Sequence, residues 1–229
     1  SESLNGQNLS GYHLADGATY IYREGDEYQD IFPVWNWRQL PGVTCAQVDG
    51  PMPRFGAYRL DSDFVGGVSD AQNGCAVLDY RRDGVSALKS WFFLGDQMVC
   101  LGSGIRAAST VTAPLATTIN QCRLRGPVRV EQGGSERTLE QGSHELTDVS
   151  WIEHDGLRYT LLAPQRIRLS NQKRTDNWSK VARTPRMPRE DVTQDVFCLS
   201  VDHGAGPVDG TYAYGVSPAR EAGLPVPDV

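Results

Sequence analysis

The sequence has no run of about 18 apolar residues, so nothing in it reads as a membrane-spanning helix. It has no surplus of basic charge either. Its 22 Lys and Arg stand against 28 Asp and Glu, a formal net charge of −6, which argues against a general nucleic-acid binder. The arginines of "YRRDG" and "QCRLRGPVRV" fall at strand spacing and read as a solvated strand face. No Cys-x-x-Cys pair exists. Cys45, Cys75, Cys100, Cys122 and Cys198 are odd in number and far apart, so they read as buried free thiols rather than a zinc or redox site. Nucleophile elbow, HExxH and phosphate-loop patterns are all missing. The histidines are His13, His144, His154 and His203. None stands at ligand spacing from another, and each reads as a turn or surface residue. No stretch gives three turns of amphipathic helix, and no repeat stands out.

What remains is strand and turn, punctuated by 24 Gly and 13 Pro. "VSALKSWFFLGDQMVCLGSGI" reads as two strands about a tight Gly95-Asp96 turn, and "VSWIEHDGLRYTLLAP" repeats the device at Asp155-Gly156. "RVEQ" and "QRIRLS" alternate polar with apolar residues. "TTINQCRLRG" is a strand that ends at Gly126-Pro127, while "GSGI" and "QGGSE" read as turns. "DVFCLSVDHG" and "GTYAYGVSP" read as a late pair joined by "AGPVD". The polar, Pro-broken "LSNQKRTDNWSKVARTPRMPRED" is expected to be a long surface loop. "SPAREAGLPVPDV" has the composition of an interdomain linker. Many short strands in 229 residues imply an all-β fold, a large antiparallel multi-sheet β-sandwich. The densest aromatic patch is "YQDIFPVWNWRQLPG". Trp35 and Trp37 alternate, as if on one face of a strand. They can form a platform for sugar rings or fill the core. Residues alone stop at an all-β protein that either binds carbohydrate or does not.

Several stretches together go further. "LNGQNLSGYHLADGATYIY", "YQDIFPVWNWRQLPGVT", "DFVGGVSD", "ALKSWFFLGDQMVCLGSGI" and "DVFCLSVDHGAGPVDGTYAYGVSP" resemble, in order, the central β-domain of the hyaluronate, chondroitin AC and xanthan lyases. The likeness is nearest to the chondroitin AC branch. It implies a supersandwich domain over residues 1–215 and a linker over 216–229 toward a C-terminal β-domain. It also implies an N-terminal α/α-toroid that carries the catalytic Asn, His, Tyr and Arg. The implied reaction is β-elimination at a uronic acid of an acidic polysaccharide. Both flanking domains are outside this sequence, so the chain is expected to be inactive alone. The parent enzyme is expected to be secreted or periplasmic.

The resemblance also implies site residues. The family places an acid and an amide, spaced E-x-x-N, on the cleft wall. Glu2 and Asn5 match that spacing, with Glu2 orienting the catalytic Tyr or Arg of the toroid and Asn5 supporting the same network. Gln7 departs from the Glu that relatives carry. Phe55 stands near where relatives set a Trp beside the sugar. Relatives hold calcium with acids in and after the W-x-W segment, where this chain has Asn36, Arg38 and Gln47, so the site is expected to be lost. The abrupt opening "SESLNGQN" is expected to lie at the seam between toroid and sandwich, with Glu2 and Asn5 displaced. Two other readings compete. One is a stand-alone carbohydrate-binding or scaffold sandwich. The other is a mutarotase-like sugar enzyme, disfavoured because the histidines fall at turns and edges.

Overall fold

The computed structural model describes residues 2–53 and 55–219, with the backbone alone for Glu2. Sixteen strands form three antiparallel sheets. The largest has nine strands in the order β10 (Ser135–Thr138), β9 (Arg129–Gln132), β12 (Val149–His154), β13 (Leu157–Leu161), β16 (Gly210–Pro218), β7 (Gln97–Ala107), β6 (Val85–Leu94), β5 (Asn73–Arg82), β4 (Val65–Ser69). The second has five: β11 (Gly142–Leu146), β14 (Ile167–Asn177), β15 (Asp191–Ala205), β8 (Pro114–Arg123), β2 (Thr44–Ala46). β1 (Glu2–Leu4) and β3 (Gly56–Tyr58) make a small separate ladder. Tight turns set the hairpin registers. Asp83-Gly84 and Asp155-Gly156 take positive φ at both residues, the twist that two-residue hairpins need.

Period-2 burial explains the layers. Val85, Ala87, Lys89 and Trp91 of β6 turn inward, as do Tyr212, Tyr214 and Val216 of β16. β8 is buried from Leu115 to Cys122, because it is covered on both faces. Residues 11–43 have no ladder of their own, only 3-10 turns at Gly11–His13 and Phe32–Val34. They pack against both sheets instead. Tyr28 links three layers: its hydroxyl accepts from Ile21 N (3.0 Å) and donates to Asn120 Oδ1 (2.9 Å), while Asn120 Nδ2 donates to the Tyr159 hydroxyl (2.8 Å).

Several local expectations are corrected. Residues 169–177, read as loop, belong to β14, which pairs with β15 along its whole length. Most of their polar side chains are half-buried, with Asn171 buried and only Lys173 and Thr175 exposed, and a polar paired strand has a composition that cannot be told from a loop. Trp35 and Trp37 follow the Pro33 turn rather than lying in a strand. "GSGI" continues β7, with Gly104 at φ 58° where the pairing with β6 is irregular. β15 and β16 lie in different sheets rather than pairing with each other. Arg82, expected on a solvated face, is buried. β16 runs on through Pro218, and residues 220–229 of the expected linker lie outside the described residues.

His13 and His154 are buried rather than superficial. His154 closes β12, stacks on Phe197 at 4.2 Å, and accepts from Arg125 N through Nε2 (3.0 Å). Burial, with Arg125 nearby, pushes its pKa from 6.5 down to about 3. Burial likewise pushes His203 down to about 4, with Asp202 opposing. The unfolded chain takes up these protons near the ordinary value; the fold resists them to much lower pH. Unfolding therefore binds protons below about pH 6.5, and stability falls as pH falls. The unfolding free energy from urea titrations should drop between pH 6.5 and 5 by up to about 1.4 kcal/mol per pH unit for each histidine. His154→Gln should reduce that slope. An NMR titration giving His154 an ordinary imidazole pKa would contradict this account.

Candidate functional site

β1 and β3 pair Glu2 with Tyr58, Ser3 with Ala57 and Leu4 with Gly56. Leu4 anchors the ladder at 2% exposure. The ladder brings Asn5 beside Phe55, fifty positions apart in sequence. The expected displacement of this end is therefore corrected: Glu2 pairs in a strand and Asn5 is held by its own loop. Asn5 and Asn8 exchange backbone bonds of 2.9 and 3.1 Å, and Asn5 Oδ1 accepts from Gln7 N at 2.8 Å. That bond commits the side-chain oxygen and turns its exposed amide nitrogen into the available donor. The side chain of Glu2 is not among the described atoms.

The loop is braced from both sides. Asn8 Oδ1 accepts from Gly11 N at 2.8 Å, and its Nδ2 donates to Ser3 O at 3.2 Å. A Cβ on Gly11 would lie 2.6 Å from that Oδ1 and 2.5 Å from Leu14 Cδ1, so a larger residue there must push the Asn8 and Leu14 side chains aside. From the far end of the sequence, residues 177–183 form a strap. Asn177 Oδ1 caps the Trp178–Lys180 turn by accepting from Ser179 N (2.9 Å). Leu9 N donates to Val181 O (2.9 Å), Arg183 N to Gly6 O (2.6 Å), and Ser10 Oγ to Lys180 O (2.7 Å).

Gln121 of β8, with no exposed surface, fixes the aromatic turn. Its Oε1 accepts from Asn36 N (2.9 Å) and Arg174 Nη1 (3.0 Å), and its Nε2 donates to Asn36 O (3.0 Å) and Gln39 O (2.8 Å). Trp35 and Trp37 meet edge to face at 5.4 Å. Arg38 donates to Gly50 O (2.9 Å) and Pro51 O (3.1 Å). Asn36 Oδ1 accepts from Arg38 N (3.0 Å), and Gln47 Nε2 donates to Arg38 O (3.3 Å).

Ladder, aromatic turn and strap enclose one groove of about 880 Å³. Trp37 and Phe55 give it aromatic surface, while Trp35 is buried in the core behind them; Arg38, Lys180 and Arg183 give it cations. Among the described residues no Asp or Glu lines it, although the chain as a whole carries net negative charge. No His or Tyr among the described residues lines it either. Aromatic faces beside cations can hold an anionic sugar chain. Phe55, expected as a sugar contact, is in the groove and 60% exposed. Lys180 and Arg183 are groove residues that sequence reasoning missed. Only the strap's distant pairing with residues 6–10 brings them there. A second groove, about 1120 Å³ and mainly apolar, is lined by Tyr20, Trp91 and Phe93 among others and shares no residue with this one.

Comparison with known proteins matches residues 1–223 to the family model for polysaccharide lyase family 8, super-sandwich domain. Chondroitinase-AC of Pedobacter heparinus is 36% identical over 220 residues, covering 95% of this chain and 31% of that protein. Xanthan lyase of Bacillus sp. strain GL1 is 29% identical over 233 residues, covering 96% and 24%. A solved chondroitinase AC lyase superimposes with a TM-score of 0.86 at 34% identity, over 97% of this chain and 33% of that one. The chain thus spans about a quarter to a third of the length of these relatives.

Gly11→Ala should force the Asn8 side chain off Gly11 N and Ser3 O and cost about 1–3 kcal/mol, read as a lower urea midpoint. An unchanged midpoint would show that the loop after β1 is not braced in this way.

Proposed function

This chain belongs to polysaccharide lyase family 8 as its super-sandwich domain, and from that premise we propose that it forms one wall of a cleft in which an acidic polysaccharide of the chondroitin or hyaluronan kind is cleaved by β-elimination. The observation that carries the proposal is the groove itself, with aromatic faces and three cations, no acid among the described residues, and Asn5 at the adjoining ladder. In β-elimination a proton leaves C5 of the uronate and the glycosidic oxygen leaves C4. Negative charge grows on the carboxylate as the proton departs, so donors placed there lower the barrier. Asn5, its oxygen already committed to Gln7 N, has an amide nitrogen left to donate. Glu2 is assigned to orient a Tyr or Arg contributed by the upstream helical region. The base and the main carboxylate neutraliser belong to that region, and the chain alone is inactive. A stand-alone binding domain would use the same groove without the chemistry.

The parent enzyme works outside the cytoplasm, where such polymers are found. Cys75 is half-buried rather than buried as expected, but the four buried thiols suit that setting, because burial pushes Cys45 up to about 12 and both Cys100 and Cys198 up to about 11, which keeps them protonated and slow to oxidise. We further assign no calcium to the aromatic turn. The Gly50 and Pro51 carbonyls accept from the Arg38 guanidinium, and the Asn36 oxygen accepts from Arg38 N, so the hard oxygens there face a fixed positive charge.

Two measurements test this. The unsaturated uronate product absorbs in the ultraviolet. The chain alone should give no such signal from chondroitin or hyaluronan, and restoring the upstream helical region should produce it. Glu2→Gln in that longer protein should lower turnover about 10²-fold with folding intact. Turnover by the isolated chain, or full activity of the variant, would refute the division of roles. Separately, calorimetric titration with calcium should show no stoichiometric tight site; a site saturating at one ion per chain would overturn the assignment.

A further inference from the structure

We propose that Arg183, presented by the 177–183 strap, is an anion subsite that receives a charged substituent of the sugar chain, a sulfate ester or a uronate carboxylate. The inference rests on the polysaccharide reading of the groove and adds the residue that reads the charge. Many arginines elsewhere are neutralised within the fold, and those without a carboxylate partner among the described residues, such as Arg59, Arg106, Arg186 and Arg189, lie outside the groove. Arg81 pairs with Asp79, Arg125 with Asp26, Arg129 and Arg158 with Glu153, and Arg168 with Asp202. Within the groove, Lys180 is paired with Asp176, and Arg38 is spent on backbone carbonyls. Arg183 is different. It is exposed, it lines the groove, and among the described residues its guanidinium has no carboxylate partner.

Its placement is nevertheless fixed. Arg183 N is bonded to Gly6 O, and the strap is tied twice more at Leu9 and Ser10. A free cation on an otherwise pinned backbone differs from a solvated loop residue, because less freedom is lost when it meets a ligand. The guanidinium fork matches two oxygens of a sulfate or carboxylate, while the sugar face rests on Trp37 or Phe55. The same bond to Gly6 joins the subsite to the residue after Asn5. Charge recognition at the strap and the amide at the ladder are therefore held on one piece of backbone.

The test uses the 229-residue chain itself. Tryptophan fluorescence and calorimetry would follow titration with oligosaccharides of hyaluronan, unsulfated chondroitin, sulfated chondroitin and uncharged chitin. The acidic oligosaccharides should bind and weaken with added salt, and the uncharged one should bind much more weakly. Arg183→Gln should weaken acidic binding about 10-fold, while the thermal midpoint stays unchanged. Arg183→Lys should recover part of it. Arg186→Gln, three positions on and outside the groove, should behave as wild type. A loss confined to sulfated ligands assigns a sulfate to the subsite; an equal loss with hyaluronan assigns the carboxylate. Unchanged binding by Arg183→Gln, equal affinity for the uncharged oligosaccharide, or no binding of acidic ligands by the wild-type chain each overturns the subsite. None of these outcomes touches the lyase reading, which stands or falls on turnover by the longer protein.

Discussion

One buried charge organises the rest of the molecule. Lys89 lies mid-strand in β6 at 2% exposure and donates to the carbonyl oxygens of Asp16 and Gly42. Burial pushes its ammonium down to about 8, with Asp16 opposing the shift, so it remains mostly protonated at neutral pH. An ammonium there is tolerable only if its donors are used. No strand of the large sheet can use them, since strand carbonyls are committed to their neighbours. The segment of residues 11–43 must therefore fold back over the sheet. Asp16, wholly buried, extends the tie: it meets His13 Nδ1 at 2.8 Å, the Tyr80 hydroxyl at 3.3 Å and Arg82 at 3.1 Å. Replacing any one member would strand the others, because a half-satisfied buried network is worse than none.

That constraint reaches the groove through short connections. With Gly42 and Asp16 fixed, the intervening chain has little choice about where it packs. Tyr28 is held by Asn120, and the Trp35–Gln39 turn by Gln121, both on β8. On the other side the Gly11–His13 turn is held by Asn8 and by Arg82, which donates to Tyr12 O. The aromatic turn and the Asn5 loop are thus positioned by the same tie from opposite directions. Neither belongs to a large sheet, yet each has a rigid sheet residue behind it. This is the arrangement a binding wall requires, with irregular backbone presenting side chains and regular backbone preventing drift.

The groove also fits a division of chemical labour. It has aromatic surface and cations, an amide donor stands at the adjoining ladder, and among the described residues neither histidine nor tyrosine lines it. The histidines that might have served as bases are used structurally. His154 accepts a backbone proton beside Phe197, and His203 bonds Thr117 at 2.8 Å. A protein in which this groove faces a separate helical region would gain substrate grip from one side and proton transfer from the other.

The sequence by itself determined the all-β class, the hairpins at Gly95-Asp96 and Asp155-Gly156, and the free thiols, because each depends on local physics: period-2 burial, positive φ at two-residue turns, and missing ligand spacing. It also held the resemblance that singled out Asn5 and Phe55. It did not disclose that residues 169–177 form a strand, since a polar, half-buried paired strand and a loop share one composition. It could not disclose the burial of His154 or the tie at Lys89, which are set by neighbours on other layers. Only the tertiary structure brought Lys180 and Arg183 against Ser10 and Gly6, because backbone pairing between segments some 170 residues apart leaves no periodic trace in either one.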